Sequence, residues 1–175
     1  MTRMPHDLRR QTADILALKY LTIEMAEPAM AWGWALVDGE KYSDGIWALT
    51  ALQPPYYWSE IVDLVSQIAR EQGLAEPQSQ DEATAWLAYG HLDDIVASGG
   101  EDFHALKLVS RLWFDHETPS LLVFNTLKHA IREVEASGTQ GHMEGLTQDN
   151  WKTMLVDTCR SWLAAHTRPD PFGAV

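Results

Sequence analysis

Apolar residues recur at helical spacing along most of this 175-residue chain, and this spacing restricts its fold more than any other feature. The pattern is clearest near the end, where Trp151, Leu155 and Trp162 belong to a run of mostly apolar residues three or four positions apart. Such spacing puts side chains on one stripe of a helix, the stripe that packs against other helices. We therefore predict a helix over 148–166, with Thr147 as its N-cap.

Signals for helix starts and ends divide the rest of the chain into similar segments. Ser79 and Glu82 have the spacing of a capping box, and Thr118-Pro119 places a proline at a first helical position. Gly73 follows an apolar-periodic segment, as a C-terminal glycine cap does. The pattern predicts an all-α fold, a single compact domain of about eight antiparallel helices with no secure strand.

Two further expectations concern the organisation of the chain. Residues 1–167 are predicted to form the single helical domain, and residues 168–175, with two prolines and a glycine, to form a flexible C-terminal tail. Trp34-Ala35-Leu36 recurs as Trp47-Ala48-Leu49, which leaves open an irregular packing of helical repeats.

The negative charge of the chain is concentrated in its central third. The chain has 25 Asp and Glu against 13 Lys and Arg, a formal net charge of -12. Residues 38–102 contain thirteen of the acids and two of the bases, so this segment alone carries -11. The balance argues against a nucleic-acid partner, because phosphates are neutralised by clustered Lys and Arg. Two interpretations stay open: a solvated face that keeps the protein in solution, or a face that attracts a basic partner.

Three consecutive aromatic residues, Tyr56-Tyr57-Trp58, lie inside this acidic segment at a predicted helix start. Consecutive helical positions cannot all face one core, so at least one ring is expected at the surface. Tyr and Trp beside charged groups are typical interface anchors, although packing against neighbouring helices would also account for them. The candidate partner-binding residues are Asp38, Glu40, Asp44, Tyr56, Tyr57, Trp58, Glu60, Asp63, Asp93 and Asp94.

Signatures of catalysis are few. The chain has neither a G-x-x-x-x-G-K phosphate loop nor a G-x-S-x-G nucleophile turn. Its single cysteine, Cys159, lies on the apolar stripe of the last predicted helix, where we expect a buried and inert thiol. We predict no catalytic residue, no metal and no cofactor. The enzyme alternative is a divalent-metal hydrolase, which needs His and Asp side chains to converge. The candidates are His91, Asp93, Asp94, Asp102, His104, Asp115 and His116.

In its general character the chain resembles bacterial toxin-immunity proteins. The similarity lies in a small, acidic, cysteine-poor helical chain with aromatic helix starts, at Tyr56-Tyr57-Trp58 and Ala31-Trp32-Gly33-Trp34. Because such proteins bind and neutralise toxins, many of them basic nucleases, the resemblance implies a non-enzymatic inhibitor that binds a basic partner. A third alternative is a helical scaffold or a homodimer, which exposure of the Trp-rich stripes from Ala31 to Trp47 would favour.

No secretory or membrane-spanning segment is expected. Asp14, Lys19 and Glu24 interrupt the residues after the N-terminus, and the longest apolar stretch, 28–37, is far shorter than the ~20 residues of a spanning helix. We therefore expect a cytoplasmic protein without a membrane partner.

Overall fold

A computed structural model describes residues 6–173 of the chain. Within that range it contains eight α-helices, one short 3-10 helix and no strand, which confirms the predicted all-α class for the described residues. The helices are α1 (His6–Tyr20), α2 (Ala26–Asp38), α3 (Asp44–Thr50), α4 (Trp58–Glu71), α5 (Gln80–Ala97), α6 (Phe103–His116), α7 (Leu122–Ser137) and α8 (Trp151–Ala165), with the 3-10 helix at Pro119–Leu121. No helix among these residues is both long enough and apolar enough to cross a membrane.

The contacts of the chain form two compact units. The first includes residues 6–87 and 169–173 of the described range, and the second includes residues 88–168. The boundary between them falls within α5. The predicted division into a domain at 1–167 and a tail at 168–175 stays a prediction.

Helices α1 to α4 pack against one another in the first unit. The apolar stripe of α4, which includes Ile61, Val65 and Ile68, is fully buried, as its periodicity predicts. Two glycines allow the helices to approach closely. A Cβ on Gly33 of α2 would lie 3.1 Å from the Leu49 side chain, and one on Gly45 of α3 would lie 2.9 Å from that of Ile68.

A buried hydrogen bond joins α1 to α2 within this core. The indole N–H of Trp32 donates to the Thr12 hydroxyl at 2.8 Å, and that hydroxyl donates to the Leu8 carbonyl at 2.7 Å. Thr12 is fully buried and Trp32 is 1% exposed. A buried N–H without an acceptor would lower the free energy of unfolding. This hydrogen bond therefore allows the Trp32 indole to lie in the core without that loss of stability.

The second unit contains the end of α5 with α6, α7 and α8. Helices α6 and α7 pack side by side, and the Ser110 hydroxyl of α6 donates to the Asn125 side-chain oxygen of α7 at 2.8 Å. Helix α8 is tied to the end of α5 by an edge-to-face contact of Tyr89 with Trp162, their centroids 6.3 Å apart. Asp102 begins α6 as its N-cap and accepts from the Ala105 N–H at 2.9 Å.

The predicted helix ends are confirmed in some places and wrong in others. Ser79 accepts from the Glu82 N–H at 3.1 Å, as the capping pattern predicts, and Gly73 has a left-handed φ of +63°. Helix α8, however, begins at Trp151 rather than at 148, and Thr147 does not cap it. The Thr147 N–H donates instead to the Asn150 side chain at 2.8 Å, in a turn that precedes the helix.

The segment after α8 makes specific contacts with the first unit from residue 169 onward. Pro171 is buried and its carbonyl accepts from the Ala75 N–H at 2.8 Å. Asp170 forms an ion pair with Arg9. Residues 169–173 therefore have a defined place within the first unit, and the flexibility expected for 168–175 stays a prediction.

Candidate partner-binding surface

Eight of the ten predicted partner-binding residues belong to the first unit, and three of these lie around the connection from α2 to α3. Asp38 ends α2, Glu40 follows it with a left-handed φ of 58°, and Asp44 begins α3. All three side chains are exposed. Within residues 6–173 none of these carboxylates forms an ion pair, so their charges face solvent without a protein counterion.

Glu71, at the end of α4, adds a further negative charge beside this group. Its carboxylate accepts from the Gly45 N–H at 3.0 Å and from the Gln67 amide at 2.7 Å. Hydrogen bonding from the Ser43 side chain, from Gln67 and from Gly45 holds the pKa of this carboxyl below its usual range. The bond to Gly45 joins the end of α4 to the start of α3, next to Asp44. Glu71 was not among the predicted site residues, because no local pattern pairs it with a glycine 26 positions earlier.

Exposed aromatic rings lie on α2, on α3 and in the connection between these helices. Trp47 of α3 is 50% exposed and Tyr42 is 57% exposed, and their rings stack with centroids 5.9 Å apart. Trp34 of α2 is 52% exposed. The repeated Trp-Ala-Leu triplets explain this exposure. The leucine of each triplet, Leu36 or Leu49, is fully buried, and the tryptophan two positions earlier lies on the opposite side of the helix, so its ring faces solvent.

The Tyr56-Tyr57-Trp58 run exposes one ring, although for a different reason from the one predicted. Helix α4 begins at Trp58, so the three residues are not consecutive helical positions. Tyr57 precedes the helix in an extended conformation and is 63% exposed, whereas Tyr56 and Trp58 are partly buried. Tyr57 is therefore the ring of this run that a partner could reach.

Glu60 and Asp63 extend the negative charge along the exposed side of α4. Neither carboxylate has an ion-pair partner among the described residues. Glu60 lies near the start of α4 and Glu71 at its end, about 16 Å apart along the axis at the usual helical rise. The acids and rings lie on α3, on α4 and on the segments that precede these two helices, and we call this set of exposed residues the acidic-aromatic surface. It comprises Asp38, Glu40, Tyr42, Asp44, Trp47, Tyr57, Glu60, Asp63 and Glu71.

The other two predicted residues, Asp93 and Asp94, belong to the second unit. Both lie on α5 and are partly buried. Asp93 accepts from the Arg168 guanidinium at 2.9 Å, so its charge is already balanced. Neither residue is part of the acidic-aromatic surface as defined.

The seven residues proposed for a metal site also lie in the second unit. No group of three or more His, Cys, Asp or Glu side chains within residues 6–173 could hold a metal ion. One reason is that α6 separates its own candidates: His104 is near its start and His116 at its end, about 18 Å apart along the axis. The convergence that the hydrolase alternative requires is not seen among the described residues.

Cys159 is fully buried on α8, as predicted for an inert thiol. Burial raises the pKa of this thiol to about 12. Because the thiolate is the reactive form, the side chain is a poor nucleophile in the folded chain.

No protein-family model, curated protein or solved structure matches this chain.

Proposed function

We propose that the acidic-aromatic surface of the first unit binds a basic partner protein and thereby inhibits it, in the manner of a toxin-immunity protein. The observation that carries this proposal is the combination of exposed carboxylates that have no counterion with exposed aromatic rings on the same packed helices. Asp44 and Trp47 illustrate it, since both lie on the exposed side of α3. The resemblance in composition to bacterial immunity proteins supports the same function.

Negative charge predominates in the segment that carries this surface. Residues 38–71 contain six acids and two bases, a net charge of -4 over 34 residues. Of the two bases, Lys41 lies over the ring of Phe172, with its Nζ 5.8 Å from the centroid. An excess of one charge on a surface is repulsive, and a cationic partner would relieve the repulsion. Complementary charge also accelerates encounter and disfavours partners of the wrong sign.

The exposed rings supply the apolar part of such an interface. Binding energy is usually concentrated in a few aromatic or Arg residues that become fully desolvated. Trp47, Tyr42 and Tyr57 are each half exposed or more, so each has apolar area to bury on a partner. The stack between Tyr42 and Trp47 holds both rings in place before binding, which lowers the entropy lost when a partner orders them.

Inhibition would follow from occupying the partner's cationic groups. A basic nuclease uses Lys and Arg to hold phosphates, and carboxylates on the inhibitor compete for the same groups. This mechanism needs no catalytic residue in the inhibitor.

The proposal is tested by reversing the charge of acids on this surface and measuring how each variant binds the purified partner. The variants Asp44→Lys and Glu60→Lys should weaken binding of the partner and restore its activity, and Trp47→Ala should do so without changing the salt dependence. Glu135→Lys in the second unit is the matched control, because Glu135 is also exposed and forms no ion pair among the described residues. If Asp44→Lys and Glu60→Lys left both affinity and inhibition as in the Glu135→Lys control, the surface would not be the binding site.

Self-association is the second candidate function, and the exposure of Trp34 and Trp47 favours it. Both rings are half exposed, as the scaffold or homodimer alternative anticipates. The two candidates differ in the effect of salt. Pairing two acidic surfaces is opposed by repulsion and should strengthen as salt rises, whereas binding to a basic partner should weaken. Light scattering on the purified chain at low and high salt would distinguish them, since a mass that stays monomeric at both excludes self-association at the concentrations measured.

A further inference from the structure

A groove between α6 and α7 in the second unit differs in charge from the rest of this acidic protein. It encloses a volume of about 600 Å³, within the usual range for small-molecule sites. Its lining includes three cationic side chains, Lys107, Arg111 and Lys128, and two aromatic rings, Trp113 and Phe114. It also includes His129, whose pKa is lowered by burial and by the nearby charge of Lys128.

Two of the cations in this groove have no carboxylate partner. Asp115 is the one acid among the described residues that line it, and Asp115 is paired with Arg111 at 3.2 Å. Lys107 and Lys128 form no ion pair within residues 6–173. Lys128 is also partly buried, and burial, followed by the nearby charge of Arg132, lowers its pKa. A partly buried cation without a counterion is stabilised by a bound anion.

The aromatic side of the groove offers a flat apolar face. Phe114 is 75% exposed, the largest exposed fraction among the large apolar side chains described. Trp113 lies beside it on α6 and is partly buried. A planar ring stacked on Phe114 would cover apolar area that is now in water.

The side wall of the groove also provides neutral hydrogen-bond donors. The side-chain oxygen of Asn125 accepts from the Ser110 hydroxyl at 2.8 Å. The amide N–H groups of Asn125 donate to no acceptor among the described residues, so they are available to a ligand.

We propose that the α6–α7 groove binds an aromatic organic phosphate with two or more negative charges, the chemistry of a nucleotide. The ring stacks on Phe114, and the phosphates lie against Lys107 and Lys128. A phosphate chain suits this site better than a single carboxylate, because one carboxylate would leave part of the positive charge uncompensated. This site lies in the second unit and is independent of the proposed protein-binding surface.

Calorimetry on the whole chain tests the proposal with ADP and its two halves, adenosine and pyrophosphate. ADP should bind at least about tenfold more tightly than either half, because it uses both the stacking face and the cations. An aromatic carboxylate, indole-3-acetate, provides the comparison for the anionic group. ADP binding no tighter than pyrophosphate, or weaker than indole-3-acetate, would overturn the proposal.

Three variants separate the contributions of the residues. Phe114→Ser should weaken ADP by about tenfold and leave pyrophosphate unchanged, whereas Lys107→Gln and Lys128→Gln should each weaken both. Arg160→Gln is the matched control, since Arg160 is an exposed cation of the second unit outside the groove. Circular dichroism confirms that each variant is folded. If Arg160→Gln weakened ADP as much as Lys128→Gln did, binding would reflect general charge rather than this groove.

Discussion

Replacing Thr12 with Val removes one oxygen from the core of the first unit and leaves its shape almost unchanged. The lost hydroxyl is the acceptor for the Trp32 indole N–H at 2.8 Å. Trp32 is only 1% exposed, so water cannot replace this acceptor. A buried donor left without an acceptor costs about 1–3 kcal/mol. For a chain of this size, each kcal/mol lowers the thermal midpoint by about 2–4 °C, so we expect a decrease of about 2–12 °C.

A double-mutant cycle measured by urea unfolding isolates this bond. Trp32→Phe removes the indole N–H, so Thr12→Val should cost about 1–2 kcal/mol less in that background than in the natural chain. Thr50→Val is the control, because the Thr50 hydroxyl donates to the Ile46 carbonyl at 3.0 Å within its own helix and no donor among residues 6–173 depends on it. An equal cost of Thr12→Val in both backgrounds would show that the bond to Trp32 does not stabilise the fold.

Three further predictions concern other features of the structure. Glu71→Gln should destabilise the chain at pH 7, where the carboxylate is ionised. Because the pKa of Glu71 is lowered from 4.5 in the folded chain, the difference in urea midpoint between the variant and the natural chain should disappear as the pH falls below 4.5. A difference in urea midpoint that does not change with pH would contradict this. Gly45→Ala should cost about 1–3 kcal/mol in thermal unfolding because its Cβ would lie 2.9 Å from Ile68, whereas Gly141→Ala, with open space around it, should not destabilise. Cys159, with a pKa of about 12, should react with a thiol reagent slowly in the folded chain and fast in urea; equal rates would show that it is accessible.

Much of the helical fold could be predicted because its signals are local. Apolar spacing in α4 puts Ile61, Val65 and Ile68 into the core, and Gly73 and Gly138 adopt the left-handed φ that helix-ending glycines favour. The start of α8 was predicted three residues too early, because either Thr147 or Asn150 could cap this segment. The Asn150 side chain instead accepts the Thr147 N–H, and a turn forms before the helix.

The candidate site was less accessible to sequence reasoning, because it depends on which residues meet across helices. The acids around Asp44 are predictable from charge alone, but Glu71 joins them through a bond to Gly45 across two helices. Trp47 is absent from the predicted partner-binding residues, and only the packing of Leu49 into the core shows that Trp47 faces outward. His104 and His116 are close in sequence, which suggested that they could share a metal site. They lie on the same helix, α6, about 18 Å apart along its axis, so they do not meet.

The salt dependence of partner binding tests the central proposal most directly. The partner that associates with the chain at low salt is purified, and its affinity is measured over a series of salt concentrations for the natural chain and for Asp44→Lys. If the acidic-aromatic surface is the binding site, the affinity of the natural chain falls steeply as salt rises, and Asp44→Lys both weakens binding and flattens that dependence. An affinity that is independent of salt, or that Asp44→Lys leaves unchanged, would contradict the proposal.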